Sequence, residues 1–193
     1  MKNNYSVRHL MAFLSFFCWS GLSLVAQTMP TVQTLPYAQN FDNLTANSTT
    51  YPAGFQGWNA AGAPGSNYVT NATLVGDRAL VASSTSSTNS GNVHNYNGKI
   101  GFLNNSSLDL AIGFAFSTTG KSSIEIKYDA MVVRNPFGST VNDTRINEMV
   151  LQYRIGDNTA FTSLLSTAYQ NNNVIQVTPA TTAPQNLQTI KVS

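Results

Sequence analysis

The chain opens on one apolar block and then changes period. Met11 to Val25 is almost wholly apolar, whereas Leu108, Leu110, Ile112, Phe114 and Phe116 alternate with Asp109, Ala111, Gly113 and Ala115. The same alternation places Glu125, Lys127, Asp129, Met131 and Val133 between Ile124, Ile126, Tyr128, Ala130 and Val132. A third run sets Met149, Leu151, Tyr153 and Ile155 against Val150, Gln152 and Arg154. Successive side chains of a strand point to opposite faces, so a period of two predicts strands with one buried face. Met131, Val133 and Val150 sit on the outer faces, which predicts that part of that surface is covered too. Weaker strands are predicted over Arg78 to Ser83, Lys99 to Leu103, Val174 to Thr178 and Gln188 to Val192. After Val25 no segment sustains a helical period. The pattern predicts an all-β chain folded as an antiparallel β-sandwich.

Gly, Asn, Ser, Thr and Pro cluster between these runs, which is the chemistry of turns and surface loops. Three stretches read as long loops: Asn43 to Tyr68, Ser83 to Lys99 and Asn135 to Arg145. Loops of that length in a compact domain usually carry function or lack structure. Gly156-Asp157-Asn158 reads as a hairpin turn, where Asp and Asn tolerate left-handed backbone angles.

The opening block has a separate explanation. Lys2, Arg8 and His9 precede the apolar run, Ala26-Gln27 offers a cleavage point, and the chain turns polar afterwards. That order is the n-region, h-region and cut site of a secretory signal peptide. The run is shorter than the roughly 20 apolar residues a membrane span needs. Leu24, third before the cut, occupies a position where a small residue is preferred, and Ser15, Phe16 and Phe17 before Cys18 do not make a lipobox. Residues 1–26 are therefore expected to be a signal peptide, 27–34 a short spacer and 35–193 one β-sandwich domain. The protein is expected to be secreted or held at the outer cell surface, with no membrane span after cleavage.

Composition changes the picture in two ways. The formal net charge of +2 belongs to the leader: Lys2 and Arg8 leave with it, taking Lys+Arg from 10 to 8, level with the 8 Asp+Glu. No cluster of basic residues is left to neutralise a run of phosphates, so a nucleic-acid partner is not expected. The single Cys leaves as well, so the remaining chain has no disulfide and no Cys-ligated metal. Charged residues make up 9% of the chain, against roughly 25% in an average domain. A hydrophobic share of 42% still argues for a folded domain over a disordered one.

Several blocks carry a resemblance. Leu35-Pro36-Tyr37-Ala38-Gln39-Asn40-Phe41-Asp42 and Tyr51-Pro52-Ala53-Gly54-Phe55-Gln56-Gly57-Trp58 come first. Gly76-Asp77-Arg78-Ala79-Leu80, Gly91 to Tyr96, Gly98 to Leu103 and Leu151 to Arg154 follow. Together they resemble a β-sandwich module near the N-terminus of large secreted proteins of Gram-negative bacteria that use type IX secretion. The resemblance spans Leu35 to Ser193. It implies a jelly-roll-like architecture, similar to adhesin and carbohydrate-binding modules, and says little about activity. It also implies further strands after Gln188 to Ser193, so the domain is expected to be truncated and to lack its last strands. A structural Ca²⁺ near the first strand of jelly-roll relatives would fall to Asp42 with Asn40 or Asn43; a capped turn at Asp42 is the alternative.

Candidate chemistry is sparse. His94 is the one histidine left after cleavage, and no Gly-x-Ser-x-Gly turn presents a nucleophile beside it. Glu125 and Asp129 share a strand face with Lys127 between them, which reads as a solvated sheet face rather than a glycosidase pair. Tyr51, Trp58, Tyr68 and Tyr96 fall in the long polar loops. Loop aromatics of an extracellular sandwich suit glycan or protein contact, although Phe55 and Trp58 read more readily as a plug at one end of the core, because large aromatics are mostly buried. The sequence thus points to a non-catalytic binding or adhesion module of a larger extracellular protein. An extracellular glycan or a cell-surface protein is its expected partner, and no cofactor is required. The alternative is an accessory domain of a secreted hydrolase or nuclease.

Overall fold

A computed structural model describes residues 27–65, 71–82, 90–133, 147–171 and 185–193. The expected signal peptide at 1–26, the expected loop at 135–145, the strand expected over Val174 to Thr178 and Tyr68 lie outside the described residues. The described chain is all β. Its strands are β1 (Phe55–Ala60), β2 (Leu74–Arg78), β3 (Leu80–Ala82), β4 (Asn92–Asn95) and β5 (Ile100–Leu103). They continue with β6 (Asp109–Phe114), β7 (Ile126–Val132), β8 (Glu148–Tyr153), β9 (Thr162–Gln170) and β10 (Gln185–Val192).

The strands assemble as four small sheets, ordered β2-β1-β6, β3-β4-β5, β10-β7 and β8-β9. Nearly every pairing is antiparallel; β3 and β4 instead run parallel, with Leu80 opposite Val93. Alternation explains how the first two sheets face each other. Gly57 of β1 and Ile112 of β6 are paired, and both point at one core. That core holds Leu44, Leu80 and Val93, with Phe41, Tyr51, Ile100, Phe102 and Ile112 packed around it. The other two sheets share a second core of Ala130, Tyr169 and Ile190, flanked by Tyr128 and Met149. The result is a sandwich built on two apolar clusters, the arrangement that lets each sheet hide its apolar face.

The alternating runs fall on β6, β7 and β8. On β7 the buried face carries Tyr128 and Ala130, while Lys127 and Asp129 face solvent. Glu125 pairs with Lys191 at 2.7 Å, and the Asp129 carboxylate accepts from the Thr189 hydroxyl at 2.6 Å. The third run extends less far than its periodicity predicts. β8 ends at Tyr153, and Ile155 is 81% exposed in the turn toward β9.

Two expected loops contain strands. Residues 55–60 form β1, the central strand of its sheet, and 92–95 form β4, the central strand of another. Consecutive positions are buried in both strands, Gly57 and Trp58 in β1 and Val93 to Asn95 in β4, so these strands are covered on both faces and lose the polar alternation of a half-exposed strand. β2 and β9 also lack a clean apolar pattern; β9 exposes Leu165 and Ser166 and buries Thr167.

Candidate functional site

The segment before β1 does not pass freely over the sheet; it is tied down from beneath. Asn95 is 0% exposed. Its side-chain amide donates to the carbonyls of Thr45 at 2.7 Å and Ser48 at 3.1 Å. Its carbonyl oxygen accepts from the Asn97 backbone N–H at 3.0 Å. The Gly98 N–H donates to the Leu44 carbonyl at 2.9 Å, and the Leu44 side chain enters the first core. One buried amide therefore holds two loops together, and buried amides are stable only when satisfied in this way.

At the start of this segment Phe41 has a φ of 63°, a left-handed backbone that bulky residues seldom adopt. The Gln39 side-chain carbonyl accepts from the Phe41 N–H at 2.8 Å, and the Phe41 ring meets Phe55 edge-on at 5.2 Å. Phe55 continues into Phe114 at 4.9 Å, and Phe114 touches Tyr37 at 4.5 Å and Phe116 at 5.7 Å. The Tyr37 hydroxyl donates to the Ala53 carbonyl at 3.1 Å. Five half-buried rings thus form a strip along one end of the sandwich.

Beside the strip lies an open recess of about 310 Å³. Gln39, Asn43, Ser48 and Thr50 line it with amides and hydroxyls, and Phe41 and Pro52 supply apolar surface. None of the lining side chains is ionisable. Such a surface can accept and donate hydrogen bonds and can stack an apolar face, but it has no group to shuttle a proton.

The residues singled out from sequence distribute differently. Trp58 lies on β1 rather than in a loop, is 4% exposed, and covers Gly113 of β6 with its indole ring. Tyr96 is also 4% exposed, its ring 5.3 Å from that of His94, which is 1% exposed. Tyr51 is half-buried; its hydroxyl donates to the Arg78 carbonyl at 2.8 Å and sits against Gly57. Burial, with the Asp77 carboxylate adding to it, holds the Tyr51 phenol well above its ordinary value. These aromatics build the interior and do not present a platform to solvent.

The three calcium candidates part company as well. The Asn40 amide donates to the Asp42 carboxylate at 2.5 Å, and the Asp42 N–H donates back to the Asn40 side-chain carbonyl at 3.1 Å. Asn43 lines the recess. Calcium takes six to eight oxygen ligands, and no group of three or more acidic or His side chains converges among the described residues. As arranged, Asn40 and Asp42 close a turn on each other, and Asn43 stands at the recess.

Comparison with known protein families, curated proteins and solved structures finds no match. The site rests on its own geometry. Sequence reasoning took Asn43 but passed over Gln39, Ser48, Thr50 and the buried Asn95. The available signal was Asn97-Gly98, a dipeptide that closes two-residue hairpins. Here it joins β4 to β5, with φ of 54° and 85° and the Tyr96 N–H donating to the Lys99 carbonyl at 2.8 Å.

Proposed function

We propose that this chain is an exported, non-catalytic binding module and that the recess at Gln39 to Thr50 takes a neutral glycan unit. The uncharged lining carries the reading: amides and hydroxyls beside an aromatic edge match sugar hydroxyls and the apolar face of a pyranose. Charged ligands would find no countercharge there. The Asn95 clamp supports it further, because a preformed rim spares the ordering cost of binding. Export rests on the leader-like pattern of residues 1–26 and on the resemblance to type IX secretion modules. Membership in a larger adhesin-like protein rests on that resemblance as well.

The test is retention on immobilised neutral polysaccharides. Gln39→Ala and Thr50→Ala are expected to keep the far-UV spectrum and lose retention. Trp58→Phe is expected to retain. Equal retention by wild type and both recess variants would refute this site.

A further inference from the structure

A second recess, of about 290 Å³, lies between the start of β2 and the turn that joins β8 to β9. Its walls are held from both sides. The Ala72 N–H donates to the Gln152 side-chain carbonyl at 3.0 Å. The Gln27 side-chain amide donates to the Leu74 carbonyl. The Thr28 N–H donates to the Asp77 carboxylate at 3.0 Å and 3.2 Å, and the Thr159 hydroxyl closes the turn on the Ile155 carbonyl at 2.8 Å.

Arg154 is the one cation in the lining. Its guanidinium lies over the Phe161 ring, 4.7 Å from the centroid, a cation–π contact that anchors the side chain. Nη2 reaches the Met29 sulfur at 3.3 Å, and a thioether is a weak acceptor. Among the described residues the ion pair is Lys191 with Glu125, and Arg154 makes none. Asp157 lines the same recess, together with the amides of Asn71 and Asn158.

We infer that this recess binds a sugar acid, with the ligand carboxylate on Arg154 and its hydroxyls on Asp157, Asn71 and Asn158. A planar guanidinium anchored over an aromatic ring can pair with a carboxylate through two parallel hydrogen bonds. Asp157 repels a second anion and accepts only from donors, so the ligand carries hydroxyls beside its single carboxylate. A uronic acid unit has both. A fatty acid lacks the hydroxyls, and a peptide C-terminus brings one amide where the recess offers a carboxylate and two amides. This site is separate from the neutral recess and stands whether or not that one binds.

The experiment is an NMR titration of the ¹⁵N-labelled protein with tetragalacturonate, tetraglucuronate and their methyl esters. At least one acid is expected to shift the amides of Arg154 to Phe161 and of Asn71 to Leu74. Its ester is expected to bind about tenfold more weakly or worse, the loss that goes with removing hydrogen bonds to a charged group. Arg154→Gln should match that loss, Arg154→Lys should recover part of it, and Lys121→Gln, a cation outside both recesses, should change nothing. Any one of four results overturns the inference: no binding of either acid, equal binding of acid and ester, shifts confined to other residues, or full affinity in both Arg154 variants. Equal or tighter binding of a peptide with a free C-terminus overturns it too.

Discussion

Gly113 and Trp58 are coupled by space. A methyl group at Gly113 would come within 2.7 Å of Trp58 Cη2 and closer still to Cζ3, so the ring cannot stay where it is. Gly113→Ala is expected to destabilise the fold by about 1–3 kcal/mol, the usual penalty for overpacking, read as a lower denaturant midpoint. Trp58→Phe removes the two atoms that clash. The double variant should therefore lose less than the two single losses combined, a coupling that a double-mutant cycle measures. The Trp58 indole N–H is buried and meets no acceptor among the described residues, so Trp58→Phe should cost far less than Trp58→Ala, for which about 3–5 kcal/mol is typical. A Trp58→Ala variant as stable as wild type would remove Trp58 from the core. These residues also show what a single sequence conceals. A tryptophan amid Gly, Asn and Ala looks like an exposed loop aromatic until the glycine that makes room for it is found in another strand.

At the scale of elements, the β4–β5 hairpin governs the neutral recess. Gly98→Ala forces a side chain onto a φ of 85° and is expected to cost about 1–2 kcal/mol, whereas Asn97→Gly should be nearly silent. Asn95→Ala takes the amide donor from the Ser48 carbonyl and leaves the Thr45 carbonyl with the Ser48 N–H alone. Each buried group left unpaired costs about 1–3 kcal/mol, and the rim that carries Asn43 and Ser48 should loosen with it. The expected readout is faster amide exchange over 43–50 and weaker glycan retention; unchanged exchange there would contradict the clamp. The edge strands β7 and β10 were legible because each keeps one wet face, as Lys127, Asp129 and Lys191 show, and β6 because Leu110, Ile112 and Phe114 alternate with small residues. β1 and β4 were not, because their covered positions include Gly57, Ala60, His94 and Asn95, residues that carry no apolar period. The Asn97-Gly98 turn was the local clue to β4, and only its pairing with Leu44 reveals that the turn also supports a site.

Across the whole molecule, the two cores share a response to alkali. Tyr51 packs in the first core, and Tyr128 and Tyr169 belong to the second. Burial raises all three phenols above the ordinary 10.0. A raised phenol pKa means the folded protein holds its proton at pH values where the unfolded chain has released it. Their stabilising effect is therefore complete below pH 10 and fades as pH climbs from the unfolded value toward the folded one. Stability should be flat with respect to these groups between pH 7 and 9 and should fall progressively above about pH 10. Tyr51→Phe keeps the ring but removes the phenol and its bond to the Arg78 carbonyl. That variant should melt lower than wild type at pH 7, and the gap should narrow above pH 10 as the wild-type phenol becomes a liability. Tyr169→Phe likewise gives up a bond to the Asn186 carbonyl and should show the same narrowing from the other core. Melting curves of the three proteins between pH 7 and 11.5 decide it: a constant gap across the range would mean that neither phenol titrates with unfolding. Convergence of both variants with wild type would show that the two clusters unfold as one cooperative unit, since proton release in either core then destabilises the whole.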